Sequence, residues 1–356
     1  MNTEINKRSR TKKRKHINKK MRRIMVLMTV LACCGVIGGV TARLLRPGDK
    51  DTLAPIADVS LSVQEPYETQ ENVSEAPPLP EIMGFRRPYS DENTVEMDIN
   101  NVTAKNSVLI DADSGEVLGR HNSLKKIYPA SMTKVMTLIV AAEHLNTSQL
   151  SDTYTMTYEL LAPLVQENAS RAGFEENETV TVKDMLYGLI LPSGADAAVG
   201  LCNYIAGSEE AFVELMNEKA KELGLRETHF TNSSGLHSKQ HYTTCVEMAV
   251  IMKAAMDIPL CREILSTYTY TTSSTEQHPE GLILYSSMFS RMYGTEVEGV
   301  TILAGKTGYT DEAGQCLVSY AEKGSNSYIL VLAGDYERYQ AVYSTFYAYE
   351  NYLPSE

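Results

Sequence analysis

Twelve residues, Ser131 to Ala142, constrain this chain more than any others. In Ser131-Met132-Thr133-Lys134-Val135-Met136-Thr137-Leu138-Ile139-Val140-Ala141-Ala142 nearly every position is apolar or small all the way round a helical wheel. That is the pattern of a helix inside a core, not on a surface. Lys134 is its only charge, and a lone buried ammonium either finds a partner or gives up its proton. Ser131 stands three residues earlier, on the same helix face. A deprotonatable lysine beside a serine is a base beside a nucleophile.

Charge is unevenly placed along the 356 residues. Residues 1–23 hold eleven Lys or Arg against Glu4, a net of +10, which leaves −22 for the remainder of a chain whose net charge is −12. Ile24 to Ala42 is an uncharged run of 19 residues, close to the roughly 20 that span a bilayer as a helix. The positive-inside rule then places the N-terminus in the cytoplasm and everything beyond Arg43 outside, in the cell membrane as a single-pass protein. A signal peptide cleaved after Ala42 is the competing reading, and it would release the remainder. A basic tail directly before a membrane span is explained by topology rather than by nucleic acid. Residues 43–94 are rich in proline and acid, with no sustained apolar period, and are expected to be a disordered linker to a domain at 95–356.

In that domain Ser107 to Asp111 and Glu116 to Arg120 read as a hairpin about Asp113-Ser114-Gly115. Lys183 to Leu191 reads as a helix with Thr181 and Asp184 spaced as a capping box, stopped by Pro192. An Ala-rich helix to about Ala206 follows, then one capped by Ser208 and closed by Gly224, and another from Thr243 to Met256. Val300 to Leu303, Lys306 to Gly308, Cys316 to Tyr320 and Tyr328 to Leu332 read as strands, and Tyr336 to Tyr352 as a closing helix. Strands, many helices, then strands again predict one α+β domain whose ends share an antiparallel sheet. Cys202, Cys245, Cys261 and Cys316 lack metal-type spacing; three disulfide pairings are open, but small buried side chains are the plainer reading. Tyr339, Tyr343, Tyr347, Tyr349 and Tyr352 read as a helix packing face, and His237 and His241 as loop or packing residues.

Ser-x-x-Lys alone is weak evidence, and the chain holds three copies. Ser9 to Lys12 lies in the basic tail, and Ser123 to Lys126 runs into Pro129, which breaks a helix begun there. Only Ser131 opens an uninterrupted apolar helix; the plain alternative for it is a capping serine with a snorkelling lysine. Lys306-Thr307-Gly308 is rarer. A cation, a hydroxyl and a residue without a side chain in a row on a strand suit recognition of a carboxylate by close backbone approach.

Ser131-Met132-Thr133-Lys134, Ser193-Gly194-Ala195 and Lys306-Thr307-Gly308 follow the order and approximate spacing of the three motifs of penicillin-recognising serine enzymes. Leu191-Pro192-Ser193-Gly194, Gly235-Leu236 with His241-Tyr242-Thr243-Thr244, and Lys306 through Gly314 make the text similar to the low-molecular-weight D-alanyl-D-alanine carboxypeptidases, over about residues 105–335. The resemblance implies a β-lactamase/transpeptidase-like fold, an antiparallel sheet packed on helices with a mostly helical subdomain. It implies attack by Ser131 on the penultimate D-Ala carbonyl of a peptidoglycan stem peptide, with Lys134 as base and Ser193 as proton relay. Lys306 and Thr307 would hold the terminal carboxylate, and Lys306 would be a second cation lowering the pKa of Lys134. Gly308 would admit the peptide as an added strand, and the backbone N–H groups of Ser131 and Tyr309 would form the oxyanion hole. β-Lactams would be covalent inhibitors, and no metal or cofactor is required.

One departure from the pattern stands out: the second motif ends in Ala195 where the family has Asn, whose amide contacts the lysine and the substrate. Asp196 follows that position and does not substitute for it. Alternatives are therefore a catalytically weak penicillin- or wall-binding protein, and a β-lactamase of the same fold. The latter needs a second carboxylate to activate the deacylating water, and no Glu-x-x-Leu-Asn segment between the first and third motifs supplies it.

Overall fold

The computed structural model describes residues 88–292 and 297–354. The basic tail 1–23, the apolar run 24–42 and all of the linker before residue 88 lie outside the described residues. Among those described, no helix is long and apolar enough to cross a membrane. Tyr89, in the stretch read as linker, pairs with Glu116, so the folded domain reaches back at least that far.

Strands β1 (Val95–Glu96), β2 (Asn106–Asp111) and β3 (Val117–His121) lead through a 3₁₀ turn at Ala130–Met132 into helix α1 (Thr133–His144). Helix α2 (Tyr158–Gln166) lies between β4 (Thr153–Thr155) and β5 (Thr179–Thr181), which pair as a small ribbon. Helices α3 (Val182–Ile190), α4 (Ala195–Ala206), α5 (Glu209–Glu222), α6 (Cys245–Asp257) and α7 (Pro259–Leu265) follow. A ribbon of β6 (Thr269–Thr271) and β7 (Ile283–Tyr285) and the single turn α8 (Phe289–Met292) precede β8 (Val300–Thr310), β9 (Gly314–Lys323), β10 (Asn326–Asp335) and α9 (Gln340–Tyr352).

The chain's two ends build one six-stranded sheet in the order β1-β3-β2-β10-β9-β8. It is antiparallel throughout except for the short β1, which runs parallel to β3. Alternation along β2 and β10 divides the interior. Val108, Ile110, Ile329 and Val331 join the large helical core, while Leu109, Leu330 and Leu332 face Ala348, Tyr349 and Leu353 of α9 and its C-terminal end. Helix α1 is buried from Thr133 to Ala141, as its all-round apolar sequence demands, and α3, α4, α5, α6 and α7 all pack on it. The Thr181–Asp184 capping box forms as read, a cap worth about 0.5–2 kcal/mol.

Several local readings change. The pieces read at Val300 and Lys306 are one eleven-residue strand, with a register shift between Ile302 and Ala304. A further helix, α7, begins at Pro259, because a proline at the first helical position gives up no hydrogen bond. Helix α2, with Leu160, Leu161 and Leu164 buried on one side, is an element the sequence pattern did not announce. All four described cysteines are buried free thiols, so the disulfide reading falls. The tyrosines of α9 divide: Tyr349 is buried and Tyr347 and Tyr352 pack beside it, but Tyr339 and Tyr343, about half exposed, lie outside the packing face.

Candidate active site

Ser131 sits in the 3₁₀ turn, one residue short of the regular helix, and the turn is entered through Ala130 at φ 46°. A left-handed alanine costs energy and persists only where its neighbours impose it. The neighbour here is Gly235, at φ +85°, packed so tightly that a Cβ on it would lie 1.9 Å from the Ala130 carbonyl oxygen. Gly235→Ala is therefore expected to destabilise the protein by about 3 kcal/mol or more and to slow acylation of Ser131. Thermal unfolding with penicillin labelling checks both, and an unchanged melting temperature would refute the coupling.

One helical turn on, the Lys134 Nζ donates to Ser131 Oγ at 3.1 Å and to the Ser234 carbonyl at 2.6 Å. Lys134 is 1% exposed. Burial pulls its pKa down to about 7, against the opposing pull of the negative charges on Asp196 and Glu209. An amine near neutrality, in contact with a half-buried serine hydroxyl, is equipped to take its proton.

Ser234 is held by its own loop. The Asn232 carboxamide oxygen accepts from the backbone N–H groups of Ser234, Gly235 and Leu236, and its amide donates to the Leu236 carbonyl. Ser233 donates its N–H to Glu209, and its carbonyl accepts from Thr137 Oγ1 on α1. The amide expected at position 195 is absent, and Ala195 is buried. Lys134 instead has a fixed backbone acceptor from the opposite wall.

Ser193 adopts φ 69° and is 7% exposed; among the described residues its Oγ has no hydrogen-bond partner. The backbone is locked around it. Ser170 Oγ donates to the Ser193 carbonyl, Gly194 N–H to Gly188, and Ala195 N–H to the Ser170 carbonyl. Asp196 accepts from the N–H groups of Ala172, Gly173 and Ala197, pinning the 170–173 loop to the start of α4. Such an orphaned buried hydroxyl calls for a ligand or a reaction to use it.

On β8, Lys306 is fully buried and donates to the Thr307 carbonyl. Burial first, then the charges of Lys134 and Arg291, push its pKa well below the ordinary lysine value. Two buried cations in one site cannot both hold protons comfortably, so loss of the Lys134 proton relieves Lys306. Thr307 Oγ1 lies 2.8 Å from Ser287 Oγ. A Cβ on Gly308 would meet the Ser131 nitrogen at 2.9 Å and the Pro129 oxygen at 3.0 Å. Only glycine lets the strand pass this close to the turn, and it brings Tyr309 to the same place. The Tyr309 ring points outward, its hydroxyl donating to Asp311.

The structure thus brings Ser131 and Lys134 into direct contact, sets Gly308 against the Ser131 turn, and places Lys306 within electrostatic range of Lys134. Asn232, Ser234, Ser170 and Arg291 belong to none of the motifs, and Ser287 stands in Tyr285-Ser286-Ser287-Met288, where the family has an Asn-rich stretch. Asn232, three residues before a glycine, is the one with a local signal, that of an Asx turn; the others come from distant segments. His241 is a packing residue: its Nδ1 accepts from Thr231 N–H, so its Nε2–H donates to Thr133 Oγ1 at 2.7 Å. Burial drops its pKa to about 3 and keeps it neutral.

The sequence profile of peptidase family S11, described as D-alanyl-D-alanine carboxypeptidase, matches residues 91–336, spanning all of these side chains. D-alanyl-D-alanine carboxypeptidase DacF of Bacillus subtilis is 37% identical over 233 residues, 65% of this chain and 57% of the relative. DacC of Escherichia coli is 34% identical over 251 residues, 69% of this chain and 60% of the relative. This chain spans less than two thirds of the length of either. The crystal structure of the Streptomyces K15 DD-transpeptidase matches with a TM-score of 0.61 at 26% identity, covering 69% of this chain and 96% of that one. That of a D-alanyl-D-alanine carboxypeptidase from Mycobacterium tuberculosis gives 0.59 at 26%, covering 68% and 89%. The architecture is the α+β, β-lactamase/transpeptidase-like fold. By its sequence profile and its relatives, the chain belongs to the peptidase S11 family of D-alanyl-D-alanine carboxypeptidases.

Proposed function

We propose that this protein is a serine D-alanyl-D-alanine carboxypeptidase that removes the terminal D-Ala from peptidoglycan stem peptides. The observation that carries the reading is the 3.1 Å contact between Ser131 Oγ and an amine whose pKa burial draws to about 7. Lys134 takes the Ser131 proton as Oγ attacks the carbonyl of the penultimate D-Ala. The backbone N–H groups of Ser131 and Tyr309 receive the developing oxyanion. Ser193 passes a proton to the amine of the departing D-Ala and regains one from the protonated Lys134, and water then hydrolyses the seryl ester. Lys306 stands next to Thr307 with Arg291 in electrostatic range of it, and this positive charge suits the terminal carboxylate. β-Lactams, which carry an anion at the corresponding place, acylate the same serine and stay there as inhibitors.

Residues 24–42 serve in this reading as a membrane anchor, with 1–23 in the cytoplasm and the stretch from 43 up to the domain's start near Tyr89 spacing it from the bilayer. Ala195 motivates a second reading, a penicillin-binding protein with little hydrolysis. The Ser234 carbonyl counts against it, because Lys134 keeps a second partner without the missing amide. The test is release of D-Ala from a peptide ending in D-Ala-D-Ala by the full-length chain. Turnover supports the carboxypeptidase; a chain labelled by fluorescent penicillin but inert towards the peptide would establish the second reading instead.

A further inference from the structure

The wall opposite Thr307 comes from a segment outside all three motifs. Ser287 follows the β6–β7 ribbon and precedes α8. Its backbone N–H donates to the Leu191 carbonyl, two residues before Ser193, and its hydroxyl lies 2.8 Å from Thr307 Oγ1. Its neighbours fix it there: Ser286 N–H donates to the Tyr268 carbonyl, and the Met288 sulfur fills the space beside Gly305, 2.5 Å from where a Cβ would stand. One half-buried serine therefore ties the Ser193 wall to the Thr307 strand.

We infer that Ser287 is a positioning residue that sets the direction of the Thr307 hydroxyl and so makes the site selective for substrates with a free carboxylate. Two hydroxyls in contact hold two protons; one lies between them and one is left for a ligand. When Ser287 donates to Thr307 Oγ1, the Thr307 proton must point away from Ser287, free for an anionic oxygen to accept it. The chain of donors polarises in one direction, each hydrogen bond strengthening the next. Lys306 and Arg291 favour that order, because their positive charges draw an anion to the Thr307 end. Without Ser287 the Thr307 hydroxyl is free to turn into the space left and bond elsewhere.

The inference rests on the carboxypeptidase reading for the place of the carboxylate, so its test does not depend on peptide turnover. The acylation rate of the full-length chain is measured with benzylpenicillin and with its methyl ester, which keeps the ring and loses the anion. Ser287→Ala is expected to slow acylation by the acid about tenfold, as for loss of one hydrogen bond to a charged group, and to change the ester rate less than about twofold. Ser287→Thr, which keeps the hydroxyl, is expected to restore the acid rate. Equal losses on acid and ester would mark Ser287 as merely structural and overturn the inference. So would no loss on the acid, or a wild-type chain that does not prefer the acid. Should Ser287→Ala fail to fold, Ser287→Cys, a weak donor of similar size, faces the same outcomes. Acid-selective loss in a chain that releases no D-Ala would remove the carboxypeptidase reading and leave the role of Ser287 standing.

Discussion

Ser131→Ala takes no covalent label from a fluorescent penicillin and releases D-Ala from a D-Ala-D-Ala peptide at least about 10⁴-fold more slowly than the wild type. The magnitude follows from loss of a nucleophile whose partners act as a unit, where one deletion costs nearly as much as removing all of them. No nearby hydroxyl can stand in. Ser193 Oγ has no hydrogen-bond partner among the described residues and hence no base, and Ser234 Oγ is turned to Asn232 Oδ1. Among the described residues Lys134 donates to the Ser131 side chain and otherwise to a backbone carbonyl. Intact-mass measurement after labelling, beside the peptide assay, checks both halves. A labelled variant would move the nucleophile elsewhere.

The other described Ser-x-x-Lys copy shows why spacing alone misleads. Ser123 is buried, while Lys126 pairs with Glu227 and lies 3.9 Å over the Tyr242 ring, so this lysine is an ordinary surface cation. What separated the two copies in the sequence was context: an apolar run after Ser131 and a proline after Lys126. The same local logic made the Thr181 cap, the Ser208 cap and most of the sheet legible, since each depends on residues within a few positions. The rest depends on segments far apart in the chain. The left-handed Ala130 is imposed by Gly235, more than a hundred residues on, and the acceptor for Lys134 is a main-chain carbonyl that no side-chain pattern announces. Ala195 looked like an uncompensated loss because a missing amide is visible in a sequence and a substitute carbonyl is not. The second cation also acts differently from the sequence expectation. Burial is the main cause of the low Lys134 pKa, and the charge of Lys134 weighs on Lys306.

Lys134→Met is expected to abolish acylation and yet make the protein more stable at pH 7. In the unfolded chain the amine ionises at about 10.5, and in the folded protein at about 7. Between those values the unfolded state holds a proton that the folded state has lost, so wild-type stability rises with pH across this window. The difference amounts to about 5 kcal/mol, at about 1.4 kcal/mol per pH unit. Methionine fills similar space without a charge and removes that penalty, but it leaves the Ser234 carbonyl without its donor, a loss of about 1–3 kcal/mol. A net gain of about 2–4 kcal/mol at pH 7 remains, and it shrinks as pH rises towards and past about 10.5, above which the wild-type amine is neutral in both states. Wild-type acylation should rise through pH 7 as Lys134 becomes a base, whereas the variant stays inactive throughout. Urea unfolding at pH 7 and pH 9, with penicillin acylation over the same range, tests both effects. A variant less stable than wild type at both pH values would mean that Asp196 and Glu209 hold Lys134 protonated as an ion-pair residue, and a lysine held that way is not available as the base.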